Sequence, residues 1–169
     1  MNLRTIALIS TGGTIEKTYD EFAGVLHNEI SVLDVMLASL QLEGIEITRV
    51  PLMNLDSLDM GPKEHTLIAE TAVGLAGDHH GVVIVHGTDR LANTGERVVE
   101  VAGALRVPIV LTGAMRPYVM RSSDALQNLT EALLAVQVIP PGVYVAIHNK
   151  VLEFPGVLKD PKRGTFVKS

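Results

Sequence analysis

Two threonines stand behind glycines at the ends of apolar runs: Thr14 in Ile6-Ala7-Leu8-Ile9-Ser10-Thr11-Gly12-Gly13-Thr14-Ile15 and Thr88 in Val82-Val83-Ile84-Val85-His86-Gly87-Thr88-Asp89. A hydroxyl becomes a useful nucleophile only when a neighbouring group takes its proton. Beside Thr88, Asp89 supplies a carboxylate able to accept from a substrate ammonium or to orient a lysine. Lys159 lies in an aperiodic segment where Phe154, Pro155, Val157 and Leu158 would partly desolvate its amine and lower its pKa toward a useful base, although a lysine taken alone reads more readily as a solvated charge. Ser57, flanked by Asp56 and Asp59 after a third apolar run, offers a donor to a carboxylate ligand. Ligands of an open parallel sheet bind outside the carboxyl ends of its strands, so these groups would share one crevice.

Each feature has a plainer use. Gly-Gly-Thr makes turns, Thr and Asp cap helices, and Ser57 suits a turn or cap equally well. Lys17-Thr18 lacks the upstream glycine spacing of a phosphate loop. His86 ends a Val/Ile run beside Gly87 and reads as readily as a hydrogen-bonded structural histidine as a general base. His79-His80, with His65 upstream, has no metal-ligand spacing and reads as a helix end.

Composition narrows the ligand. A length of 169 residues suits one domain, and 47% hydrophobic with only 4% aromatic residues describes an aliphatic globular core. A net charge of -5 without a dense basic block argues against nucleic acid and anionic membrane, leaving a small molecule. Cysteine is absent, which removes thiolate nucleophiles, disulfides and Cys-rich zinc sites. The N-terminal apolar run is too short to span a bilayer and lacks a signal-cleavage pattern, so a cytoplasmic location is expected.

Short apolar runs alternate with segments of helical period, the pattern of βαβ units and a parallel sheet. Strands are expected at Thr5 to Ser10, Ile45 to Leu52, Gly81 to His86, Pro108 to Thr112 and Val143 to His148. Helices are expected at Ser31 to Leu42, N-capped by Ser31 and stopped by Gly44, and at Pro62 to His79, Leu91 to Leu105 and Asp124 to Val136. Glu16 to Asn28, with Tyr19 and Gly24, and Phe154 to Ser169 escape both periods and are expected as loops near a strand end.

Taken together, Thr11-Gly12-Gly13-Thr14-Ile15, Ser57 with Asp59, His86-Gly87-Thr88-Asp89, Gly113-Ala114-Met115-Arg116-Pro117 and Lys159 resemble the bacterial-type L-asparaginase family, in the family's order and across nearly the whole chain. The resemblance implies a three-layer, mainly parallel flavodoxin-like α/β sheet with helices on both faces. It implies hydrolysis of L-asparagine to L-aspartate and ammonia, with Thr14 as nucleophile, Tyr19 as the loop tyrosine that assists it, and Thr88, Asp89 and Lys159 as a second cluster tuning the threonine and an attacking water. Ser57 and Asp59 would bind substrate, Ser57 at the α-carboxylate, and Asp89 would hold the α-ammonium. No metal or organic cofactor is implied, and a homo-oligomer, dimer or tetramer, is expected, partly because a mean hydropathy of +0.29 leaves more apolar surface than one small domain hides.

The chain departs from the pattern in three places. Residues 1–169 look like a single N-terminal-type domain, ending near Gly164-Thr165-Phe166 where the family's linker to a smaller C-terminal domain would start. The acidic contact which that domain lends a neighbour's site would have to come from Glu16, Asp20 or Glu21, or be missing. Leu58 and Arg90 stand where a polar residue and a threonine are common. Another ω-amide such as L-glutamine, or a catalytically weak amino-acid-binding module, are the rival functions.

Overall fold

The computed structural model describes residues 3–27 and 32–169. Its centre is a six-stranded sheet in the order β4-β1-β5-β6-β7-β8, built from β1 (Arg4–Gly12), β4 (Ile45–Leu55), β5 (Gly81–Val85), β6 (Pro108–Thr112), β7 (Gly142–Ile147) and β8 (Lys150–Glu153). The first five are parallel; β8 returns antiparallel to β7. By chain order the parallel strands run 2-1-3-4-5, the flavodoxin-like arrangement.

The interior strands are apolar on both faces because helices cover both. Ala7, Ile9, Val82, Ile84, Ile109 and Leu111 meet the side covered by α2 (Pro62–Ala76) and α3 (Leu91–Ala102). The alternate residues Ile6, Leu8, Val83, Val85 and Val110 meet the side covered by α1 (Leu33–Ala38) and α4 (Ala125–Val138). Each large aliphatic side chain buried this way contributes roughly 1.5–3 kcal/mol. Among the described residues no helix is long and apolar enough to cross a membrane.

Both segments expected as loops contain strands. Residues 18–27 form a small hairpin of β2 (Thr18–Asp20) and β3 (Val25–His27), closed by Gly24 at φ 68°. Residues 157–168 form an antiparallel ribbon of β9 (Val157–Asp160) and β10 (Thr165–Lys168). Each of these strands has three or four residues, too few to display a period, and what fixes the second pair is tertiary: Phe154, Val157 and Phe166 insert into the core on the α2–α3 side. β8 also escapes the pattern, because the turn from β7 uses His148 and Asn149, both left-handed at φ 51° and 60°, without the glycine that usually signals a two-residue hairpin.

The expected boundaries shift elsewhere. β1 runs on to Gly12 and β4 to Leu55, carrying both strands to the crevice. The first helix is Leu33–Ala38, ending well before Gly44, and the proposed Ser31 cap lies outside the described residues. Helices α2 and α3 stop at Ala76 and Ala102. His79 does close the end of α2, its ring bonding the Leu75 carbonyl at 2.9 Å, whereas His80 turns to Thr5.

Candidate active site

β1 and β5 are neighbours, yet the chain leaves them toward opposite halves of the sheet, which opens a crevice beyond their carboxyl ends. Gly12 and Gly13 take φ 99° and 84°, turns that side-chain-bearing residues avoid. A Cβ on Gly13 would stand 2.5 Å from the Gly87 backbone, so the two threonine motifs touch through their glycines. Thr14 opens a one-turn 3-10 segment, Thr14–Glu16, and is partly exposed.

Lys159 reaches Thr88. Its Nζ donates to Thr88 Oγ1 at 2.9 Å and to Asp89 Oδ1 at 2.6 Å. Lys159 pairs with Phe166 across the ribbon, so both side chains leave the same face. Burial of Phe166 therefore turns Lys159 inward from a segment 71 residues away in sequence. Thr88 is buried, with Gly113 packed so closely beside it that a Cβ there would overlap the His86 carbonyl oxygen. Neither Thr88 nor Asp89 caps the following helix: Arg90 occupies the position before Leu91.

Ser57 is buried at the third strand end and its Oγ accepts from the Arg90 N–H at 3.2 Å. Gly87 makes room for it, since a Cβ there would lie 2.8 Å from the Ser57 hydroxyl. Asp56 accepts from the Leu58 N–H at 3.0 Å and pairs with Lys17 at 3.2 Å, joining the base of the β2–β3 hairpin to this turn. The Leu58 N–H, aided by Lys17 and opposed by burial, holds the Asp56 carboxyl below its ordinary range. Asp59 lies exposed on the same turn. The half-buried Arg90 side chain donates to the Met60 carbonyl, while Leu58 is exposed.

Tyr19 sits on the hairpin, 62% exposed, and among the described residues no hydrogen bond joins it to Thr14. Of the acids considered for the ammonium, Glu16 is buried and Asp20 closes its own hairpin by accepting from Phe22 and Ala23 N–H groups. Glu21 is exposed at the turn. Among the described residues no three His, Asp or Glu side chains gather to hold a metal.

Sequence reasoning used Asp124 only to start a helix. Its carboxylate instead accepts from Met115 and Arg116 N–H groups, both at 3.0 Å, from Asn128 at 2.9 Å, and meets His148 Nε2 at 2.7 Å. Burial pushes its pKa up, but the bonds from Met115, His148 and Arg116 outweigh that and leave it below the ordinary value. His148 continues to Thr165 on β10 at 3.0 Å, so Asp124 links the loop beside Thr88 to the ribbon that carries Lys159. Its position just after the Gly113–Pro117 motif is the one sequence signal that pointed to it. His86 is fully buried, its pKa lowered to about 4 by burial, and it is bonded on both ring nitrogens.

Strand ends, glycine-backed hydroxyls and a lysine–carboxylate pair define a flavodoxin-like α/β domain with a polar site at its switch point. The chain belongs to the asparaginase family: the family described as "Asparaginase, N-terminal" matches residues 5–159. It is 33% identical over 149 residues to an L-asparaginase of Thermococcus kodakarensis, covering 87% of this chain and 45% of that protein. It is also 33% identical over 152 residues to one of the subunits of the glutamyl-tRNA(Gln) amidotransferase of Methanococcus vannielii, covering 89% of this chain and 35% of that one. The solved structure of the thermostable L-asparaginase from Thermococcus kodakarensis superposes with a TM-score of 0.88 at 30% identity over 97% of this chain and 51% of that one. The chain thus spans about half or less of the length of these relatives.

Proposed function

We propose that the crevice hydrolyses the side-chain amide of L-asparagine to L-aspartate and ammonia. The observation that carries this reading is the Lys159 Nζ bonded at once to Thr88 Oγ1 and Asp89 Oδ1 beyond the end of β5, beside the end of β1 that carries Thr14. In this scheme Thr14 Oγ attacks the amide carbon and its proton passes to a base, from the Tyr19 side or through Thr88 and Lys159. The negative charge on the carbonyl oxygen falls to the Thr88 N–H. The tetrahedral species collapses with a proton to the leaving nitrogen, ammonia departs, and water cleaves the threonyl ester. Ser57 takes the substrate's α-carboxylate, Asp59 lines the binding end beside it, and Asp89 holds the ammonium. Residues 1–169 act here as one domain, a cytoplasmic homo-oligomer needing no metal or organic cofactor.

Equal identity to an L-asparaginase and to an amidotransferase component favours a second reading, in which another ω-amide such as L-glutamine is cleaved. Ammonia release from L-asparagine and L-glutamine, with Thr14→Ala and Thr88→Ala alongside, separates them. Turnover of L-asparagine abolished by both substitutions supports the first reading; turnover of L-glutamine alone supports the second. Aspartate binding without ammonia release from any amide would replace both with a binding module.

A further inference from the structure

The hydrolytic scheme leaves a buried polar chain without a task. His86, Thr94 and His65 lie beneath the Thr88 loop at 0%, 0% and 7% exposure. His86 Nδ1 is 2.7 Å from the Gly87 carbonyl oxygen, and a carbonyl only accepts, so Nδ1 carries the ring's hydrogen. Burial keeps the ring neutral, so Nε2 presents a lone pair, and Thr94 at 2.7 Å must donate to it. The Thr94 oxygen is then left to accept, and His65 Nδ1 donates at 2.7 Å. All three bonds run one way, from His65 through Thr94 and His86 to the Gly87 carbonyl. The His65 end borders a cavity of about 440 Å³ between α2 and α3.

The Gly87–Thr88 peptide is trans, so its C=O and N–H point in opposite directions. Fixing the carbonyl against the buried His86 ring therefore turns the Thr88 N–H away from the core, and among the described residues that N–H has no acceptor. Ser57 blocks a compensating shift, because it already fills the space beside Gly87. A carbonyl that accepts a strong hydrogen bond also polarises its own amide, and successive bonds in such a chain strengthen one another.

We propose that His86, backed by Thr94 and His65, is a positioning residue that holds the Gly87–Thr88 peptide with the Thr88 N–H turned to the crevice as the oxyanion donor. The inference rests on the amide-hydrolase reading. It concerns the direction of one peptide and involves no proton transfer through the histidines.

Three substitutions separate positioning from mere packing. His86→Asn returns an N–H near Nδ1, His86→Gln reaches only the Nε2 side, and Thr94→Val removes the hydroxyl at nearly equal volume. With L-asparagine, kcat should fall about ten- to a hundredfold in His86→Gln and Thr94→Val, part of the loss that follows removal of an oxyanion donor. KM should stay nearly constant, and His86→Asn should recover most of the rate at matching thermal stability. Nitrogen-15 NMR should find His86 protonated at Nδ1 only, with the Thr88 amide proton shifted in the Gln variant but not in the Asn variant. Equal kcat in the Asn and Gln variants, or a ring protonated at Nε2, overturns the inference. Should the wild type cleave no amide, the hydrolase reading falls, and the Thr88 shift still decides: movement confined to Gln supports positioning of the N–H, and its absence overturns it.

Discussion

The two threonines occupy unlike surroundings. Thr88 is gripped from every side, by Lys159 from the ribbon, by the Gly113 loop that Asp124 ties down, and by the histidine chain beneath its preceding peptide. Thr14 begins a single 3-10 turn that runs into a hairpin whose Tyr19 and Phe22 are 62% and 94% exposed. One half of the crevice is preorganised, as electrostatic stabilisation requires. The other is attached to an element with little buried surface, the kind that closes or opens over a ligand at small cost. The contrast lies in how much buried surface backs each threonine, most behind Thr88 and least along the hairpin that follows Thr14.

The comparison breaks most severely at the hydroxyls themselves. Thr14→Ala and Thr88→Ala should each lower kcat by about 10³-fold or more, and Lys159→Met by about 10²–10⁴, with far-UV circular dichroism unchanged. If Thr14→Ala retained most of its activity, the exposed half would not hold the nucleophile.

Gly13→Ala attacks the contact between the halves. A methyl there meets the Gly87 backbone at 2.5 Å on a residue at φ 84°, so a loss of about 3 kcal/mol or more in urea unfolding is expected, together with loss of turnover. Phe166→Ala, which empties the core behind Lys159, should cost a similar 3–5 kcal/mol or so and release the lysine. Near-normal kcat in a folded Phe166→Ala would mean that the ribbon is not what aims Lys159.

Acid should loosen the preorganised half first. An unfolded histidine takes up a proton below about pH 6.5, whereas buried His86 remains neutral down to about 4. Between these values the unfolded chain binds more protons, so stability that is complete above pH 6.5 or so is lost as pH falls toward 4, by on the order of 3 kcal/mol. His65, lowered by burial and by Arg90, adds in the same direction, and depressed Asp124 and Asp56 add further loss near and below their ordinary range. Urea midpoints between pH 7 and 4 should show the slope, and His86→Asn should flatten it. A flat wild-type profile would contradict the assigned neutrality of the ring.

The smallest effect belongs to the hairpin tip. Phe22→Ala should change stability by no more than about 0.5 kcal/mol, since the ring buries almost nothing. A larger loss in thermal unfolding would show that the hairpin is anchored more firmly than its exposure implies.

Much of this molecule was legible in the chain. The four interior parallel strands announce themselves as Val/Ile/Leu runs because both of their faces are covered, whereas the edge strand β4 carries Glu46, Thr48 and Arg49, and the Gly12-Gly13-Thr14 and Gly87-Thr88-Asp89 motifs fall at the ends of two interior strands. The ends expected for α1, α2 and α3 overrun by a few residues, as at Leu91 to Leu105 against Leu91–Ala102, because apolar spacing continues past the last hydrogen-bonded turn, whereas α4 runs on past the expected Val136 to Val138. The β2–β3 and β9–β10 pairs were missed because strands of three or four residues carry no readable alternation.

By itself the sequence determined the layered α/β class, the identities of the candidate hydroxyls, lysine and carboxylates, and the family to which the chain belongs. These follow from local chemistry: apolar period, glycines at turns, and residue types in a recognisable order. Only the tertiary structure decided that Lys159 reaches Thr88, that Ser57 is locked by Arg90 N–H, that Asp124 serves the loop and ribbon and not merely a helix start, and that His86 faces the Gly87 carbonyl. Each is a contact between segments far apart in the chain or a choice of ring orientation, set by packing of buried side chains such as Phe166 that no local pattern encodes.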